Sequence, residues 1–135
     1  MIRRLDDRIF VSGQIQPADV AGLVSQGVTM IVNNRPDHED PGQPLGSEIE
    51  AAAEQAGIAY RSNPIQRGIG PGEVEAMREA SDQCGDGVLL AFCRSGQRSA
   101  LACGLAQREA GVEREEVERR IRDAGYDPAP IQHLL

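Results

Sequence analysis

The run Val88-Leu89-Leu90-Ala91-Phe92 is apolar at every position. A strand with one face in water alternates apolar and polar residues, whereas a strand covered on both faces does not. The run therefore predicts a central strand of an α/β sheet with helices packed on either side. Further strands are expected at Arg8 to Ser12, Met30 to Asn33 and Ile58 to Arg61. Helix-like stretches of about 10–15 residues separate them, and two more helices follow the last strand. Alternation of this kind implies a mostly parallel sheet of four or five strands with right-handed crossovers. The expected fold is a single three-layer α/β domain over residues 1–135, a length that suits one core.

Local signals punctuate this order. Gly27, Gly57, Gly85, Gly111 and Gly125 each follow a helix-like stretch, where a left-handed residue ends a helix well. Pro17 and Pro71 open such stretches, where a missing N–H costs nothing. Ser47 and Glu50 have capping-box spacing. The stretch from Arg35 to Gly46, with three Pro and two Gly, is expected to be a surface loop that carries Asp37 and Glu39. Residues Pro128 to Leu135 are expected to pack their apolar end on the body.

Composition excludes several classes of function. Acidic residues number 21 against 14 basic ones, so most of the surface repels a polyanion such as DNA. Aromatic residues are 3% of the chain, too few for a base-stacking platform. All the basic residues are Arg, which rules out a Lys Schiff base or a phosphate-loop Lys. No apolar run approaches the roughly 20 residues needed to span a bilayer, and the N-terminus lacks the apolar core of a signal peptide. The expectation is a cytoplasmic protein without membrane or nucleic-acid partners. Three cysteines without C-x2-C spacing, and two distant histidines, suggest neither a disulfide framework nor a metal site. No dinucleotide fingerprint is present either, so no cofactor is expected.

The chemistry concentrates directly after the central strand. Cys93 follows Phe92, then come Arg94, Ser95, Gly96, Gln97, Arg98 and Ser99, and then a helix-like run from about Ser99. Ligands of open α/β sheets bind beyond the carboxyl ends of the strands. Backbone N–H groups of a loop entering a helix can converge on one anion, and Gly96 permits the positive φ that such a cradle needs. Arg98 adds a planar fork of donors, and the helix N-terminus adds a partial positive charge. Together they favour thiolate over thiol at Cys93, which makes it the candidate nucleophile. Ser99 is placed to cap the helix or to hydrogen-bond the sulfur. Cys84 and Cys103 read as inert packing residues.

The loop from Cys93 to Ser99 resembles the active-site loop of single-domain rhodaneses, with C-x4-R spacing where cysteine phosphatases use C-x5-R. Much of the chain is similar to the beta-lactamase-hydrolase-like (DUF442) family. The segments that carry this likeness are Ile9 to Gln14, Val32-Asn33-Asn34-Arg35-Pro36-Asp37, Gln43-Pro44 and Glu48 to Ala52. That resemblance implies a cysteine-phosphatase-like fold.

Two enzymatic chemistries follow from these features. In a sulfurtransferase, Cys93 carries a persulfide taken from thiosulfate or another persulfide. Arg98 and the loop amides then form the anion cradle, with Arg94 as an outer contact. In a phosphomonoesterase, Cys93 becomes phosphocysteine, and an acid must protonate the leaving oxygen. The loop from Ser62 to Gly70 holds no acid, so Asp37 is the candidate. Arg35 either reaches the site rim or braces its own loop. The scaffold favours phosphate esters, but the short loop and the missing acid make a sulfurtransferase the first expectation and a phosphomonoesterase its alternative. Either substrate is a small anion. A third reading keeps the cradle as a non-catalytic anion-binding module.

Overall fold

The computed structural model describes residues 2–135. Its elements run β1 (Ile2–Arg4), β2 (Ile9–Ser12), a 3-10 turn (Pro17–Asp19), α1 (Val20–Val24), β3 (Val28–Asn33), α2 (Gly46–Ala56), β4 (Ala59–Ser62), α3 (Pro71–Cys84), β5 (Val88–Phe92), α4 (Gln97–Glu109), α5 (Arg114–Asp123) and a second 3-10 turn (Ala129–Leu134). The sheet has five strands in the order β1-β2-β5-β3-β4. β5 lies at its centre, parallel to both β2 and β3. β4 extends the parallel set, and β1 alone pairs antiparallel. The four expected strands are all present. β1 is an addition, a short edge strand in which the sequence shows only one apolar residue.

The expected burial of β5 on both faces is realised by its period-two pleat. Leu89 and Ala91 join Val11, Met30 and Val32 in one core cluster, which α3, α4 and α5 cover. Leu90 and Phe92 join Phe10 and Ile31 in the other, under α1 and α2. Leu89 to Phe92 are all fully buried. Close approach of α4 to α5 depends on Gly104, where a Cβ would lie 2.7 Å from Ile121 Cδ1. The C-terminal segment packs as expected, with Ile131 buried in the α3–α5 cluster.

Two helix starts differ from the sequence expectation. Ser47 does not cap α2. The helix begins at Gly46, leaving Ser47 within its first turn, and the Gly46 N–H donates instead to Asp37 Oδ1 at 2.8 Å. α4 begins at Gln97 with Gly96 as its N-cap, two residues before the expected Ser99. Gly85 closes α3 with φ 59° and ψ −122°, outside the left-handed helical region that Gly57 adopts after α2.

Candidate active site

Three segments meet at the carboxyl ends of β3 and β5. Parallel pairing brings Asn33 level with Phe92, so the loops that follow both strands leave the sheet side by side. The Asn34 N–H donates to the Phe92 carbonyl at 2.8 Å, and the Asn63 N–H to the Asn33 carbonyl at 2.8 Å. Side chains extend the stitching. Asn34 Nδ2 donates to Ser99 Oγ at 2.9 Å and Asn63 Nδ2 to Asn34 Oδ1 at 3.2 Å. Asn33 Oδ1 accepts the Arg35 N–H at 2.9 Å. Asn33 and Asn34 thus tie the loops to the sheet.

Cys93 sits at the centre of this arrangement and is fully buried. The Gly96 N–H donates to its sulfur at 3.2 Å. Gly96 has φ +100°, and a Cβ there would collide with the hydroxyl of Tyr126. The loop therefore needs glycine for two reasons, conformation and space. Ser95 Oγ accepts the Gln97 N–H at 3.3 Å. Gln97 holds the segment after α5, its Nε2 donating to the Asp127 carbonyl at 2.7 Å while its Oε1 accepts the Asp127 N–H at 3.2 Å. Ser99 lies buried inside α4 on Asn34, so it is not the helix cap.

Arg98 turns its fork onto Glu39. Nη1 donates to Oε2 at 2.8 Å and Nη2 to Oε1 at 2.9 Å, while Nη1 also reaches the Ile65 carbonyl at 2.7 Å. The same carboxylate accepts Arg35 Nε at 2.9 Å. Arg35 is buried and completes its bonds with Asp40 Oδ2 at 2.8 Å and Gln14 Oε1 at 3.0 Å. It braces its own loop. Arg94 is largely exposed, with Nε 3.1 Å from Asp40 Oδ2. Two carboxylates thus span three guanidinium groups across the mouth of the cradle.

The electrostatics follow from this pairing. The Arg98 hydrogen bonds lead in lowering the Glu39 carboxyl to about 2; burial opposes them and Arg35 assists. The Glu39 bond raises Arg98 above its ordinary value; partial burial opposes, and the charge of Cys93 adds to the rise. Cys103, fully buried on α4, is pushed up to about 12 by desolvation, as an inert packing thiol should be. Cys84 lies half-buried, 3.4 Å from Thr29 Oγ1. Asp37 holds the start of α2.

Three clefts have nearly the same volume, so size does not choose among them. One, of about 400 Å³, opens at the amino ends of β2 and β5 between Arg8, Met77 and Cys103. A second, of about 370 Å³, lies between Arg4, Arg119 and Asp123. The third, of about 380 Å³, lies at the carboxyl ends of β3 and β4, between Arg35, Asp37 and Gln66. Of these, the third borders the loops that meet at Cys93.

The structure brings Cys93, Gly96 and Arg98 together, as their spacing in the sequence suggests, and sets Asp37 on the Gly46 N–H. Glu39, Asp40, Gln14 and Tyr126 join the arrangement without a sequence signal having singled them out. An acidic loop after one strand and an arginine-rich loop after its neighbour are complementary in charge, and that signal could have found Glu39. Nothing in the sequence pattern points to Tyr126.

Residues 1–110 match the family described as the phosphatase-like domain of beta-lactamase hydrolase-like proteins. The chain belongs to that family. A beta-lactamase hydrolase-like protein of Agrobacterium fabrum is 33% identical over 128 residues. That alignment covers 92% of this chain but 29% of the relative, so the chain spans under a third of the curated protein it matches. A solved structure from Neisseria meningitidis Z2491, described as a candidate phosphatase, superposes with a TM-score of 0.84 at 31% identity, covering 98% of this chain and 94% of that one. The core catalytic domain of the PP-IP phosphatase SIW14 of S. cerevisiae shares the fold alone, with a TM-score of 0.72 at 13% identity, over 98% of this chain and 82% of that one. The cysteine-phosphatase-like fold expected from the sequence is thus the one observed. These similarities favour the phosphate-ester chemistry and lend nothing to sulfur transfer, the first expectation from the sequence.

Proposed function

We propose that this domain hydrolyses phosphomonoesters through a phosphocysteine on Cys93. The observation that carries the proposal is the grip of Arg98 on both oxygens of Glu39. An arginine fork beside a buried sulfur is organised to take two oxygens of one anion, and a phosphoryl group offers them. Substrate displaces Glu39 from Arg98. The Cys93 thiolate then attacks phosphorus, the P–O ester bond breaks, and its electron pair departs on the leaving oxygen. Glu39 is the acid we assign to that oxygen, because Asp37 is committed to Gly46. Once parted from Arg98 and beside a phosphate dianion, its carboxyl loses the main cause of its acidity and takes up a proton. Water next attacks phosphorus and returns its proton to Glu39. The S–P bond breaks, freeing inorganic phosphate and the thiolate.

The short C-x4-R loop keeps persulfide transfer as the competing outcome of one experiment. Purified protein is given aryl and alkyl phosphates, and separately thiosulfate, with the mass of the intact chain followed. Turnover of phosphates that disappears in Cys93→Ser supports the proposal. A one-sulfur adduct on Cys93, removed by reductant, without phosphate release, overturns it. If Glu39 is the acid, Glu39→Gln slows alkyl phosphates far more than p-nitrophenyl phosphate, whose leaving group needs little protonation.

A further inference from the structure

We propose that Tyr126 is a positioning residue for Cys93, acting through the peptide unit between Ser95 and Gly96. The inference rests on Cys93 being the nucleophile, and it concerns a residue beyond the 1–110 family match. A trans peptide carries its C=O and N–H on opposite sides. Here the N–H end, on Gly96, donates to Cys93 Sγ at 3.2 Å. The C=O end, on Ser95, lies 3.4 Å from the Tyr126 hydroxyl, which donates to it. With glycine at 96, either sign of φ is open, so the backbone itself only weakly resists turning this peptide over. The Tyr126 hydroxyl, packed on Gly96 where a Cβ would collide with it, biases the peptide toward the sulfur.

The segment that carries Tyr126 is itself held. Its N–H donates to the Ile121 carbonyl at 3.0 Å, and Gln97 and Asp127 exchange two hydrogen bonds. Burial, then the charge of Cys93, raises the phenol above its ordinary value, so it remains a donor. At 3.4 Å the bond to Ser95 is long for O–H···O. Negative charge on the sulfur polarises the intervening peptide and strengthens it, since bonds in a chain reinforce one another. The relay therefore matters most when the sulfur carries full charge. That condition is met when the S–P bond of phosphocysteine breaks and the electron pair returns to Sγ. Tyr126 assists the departure of the thiolate more than its attack.

The test is Tyr126→Phe, which keeps the ring on Gly96 and deletes only the hydroxyl. With p-nitrophenyl phosphate, kcat is expected to fall about three- to tenfold, the worth of one modest hydrogen bond. KM should fall in the same proportion, leaving kcat/KM within about twofold, because the slowed step follows the first irreversible one. Rapid mixing should show a burst of nitrophenol of about one equivalent per site. Without any substrate, iodoacetamide should alkylate Cys93 more slowly than in the parent protein, since alkylation follows the thiolate. A merely loosened loop would give no burst and faster alkylation. An unchanged kcat, a loss in kcat/KM without a burst, or faster alkylation overturns the proposal. Activity that survives Cys93→Ser, or its absence in the parent protein, defeats the phosphatase reading instead, and the alkylation rate still decides the role of Tyr126.

Discussion

Arg98 donates to both oxygens of Glu39 and to the Ile65 carbonyl, so its guanidinium is held in one orientation before any substrate arrives. Charge alone does not replace such a fork. Arg98→Ala should lower kcat/KM about tenfold to a hundredfold, since each charged hydrogen bond is worth ~1.5–3 kcal/mol. Arg98→Lys should recover only part of that loss. Full activity in the Ala variant would place the anion site elsewhere. The contrast between Cys93 and Cys103 is equally direct. Iodoacetamide at about pH 6.5 should label Cys93 before Cys103, whose thiol burial raises to about 12. Peptide mapping that finds Cys103 labelled as early as Cys93 would contradict this. At this scale the sequence was informative where one short segment holds the whole cluster, as with Cys93, Gly96 and Arg98. It was silent where partners come from distant segments, as Tyr126 does.

The loop from Arg35 to Gly46 carries the carboxylates that pair with the arginines at the cradle. Two of its carboxylates have separate tasks. Asp37 caps α2 through Gly46, so Asp37→Ala should cost about 0.5–2 kcal/mol of stability, read by denaturant unfolding, with kcat little changed. Glu39 latches the loop to Arg98. Its carboxyl is lowered in the folded state, so the unfolded chain binds the proton more readily. The latch therefore stabilises the fold fully above the unfolded carboxyl range, near 4.5, and loses that contribution as pH falls toward about 2. The stability difference between the parent protein and Glu39→Gln should be flat above about pH 5 and shrink on acidification. A difference that grows toward low pH would be inconsistent with the pairing. The sequence identified this stretch as a loop through its Pro and Gly. It could not show which acid faces which strand end, because that depends on the parallel register that sets Asn33 beside Phe92.

The whole molecule is tied together beyond the family match. Val117 and Ile121 of α5 are fully buried against α4, and Ile131 lies in the same cluster. A chain ending at residue 110 would leave that face of α4 in water. Its thermal transition should be lost or fall by many degrees, while Ile121→Ala in the full chain should cost about 2–5 kcal/mol. A 1–110 fragment that melts like the full chain would show that α5 is dispensable. The architecture was largely legible in advance, because the apolar run of β5 and the strand–helix alternation are local patterns. β1 was not, since an edge strand with two arginines owes its pairing to β2 and carries little apolar pattern of its own.

Glu39 also sets how strongly any outside anion can be held. An arginine already occupied by a tethered carboxylate is available only in the fraction of molecules whose loop has let go, and apparent affinity is reduced by that fraction. On the proposed phosphatase reading, the reduction applies to the free phosphate product as much as to the ester. An enzyme whose spent phosphate is displaced by its own loop should be inhibited only weakly by phosphate, and Glu39→Gln should bind phosphate more tightly and be more strongly inhibited by its product.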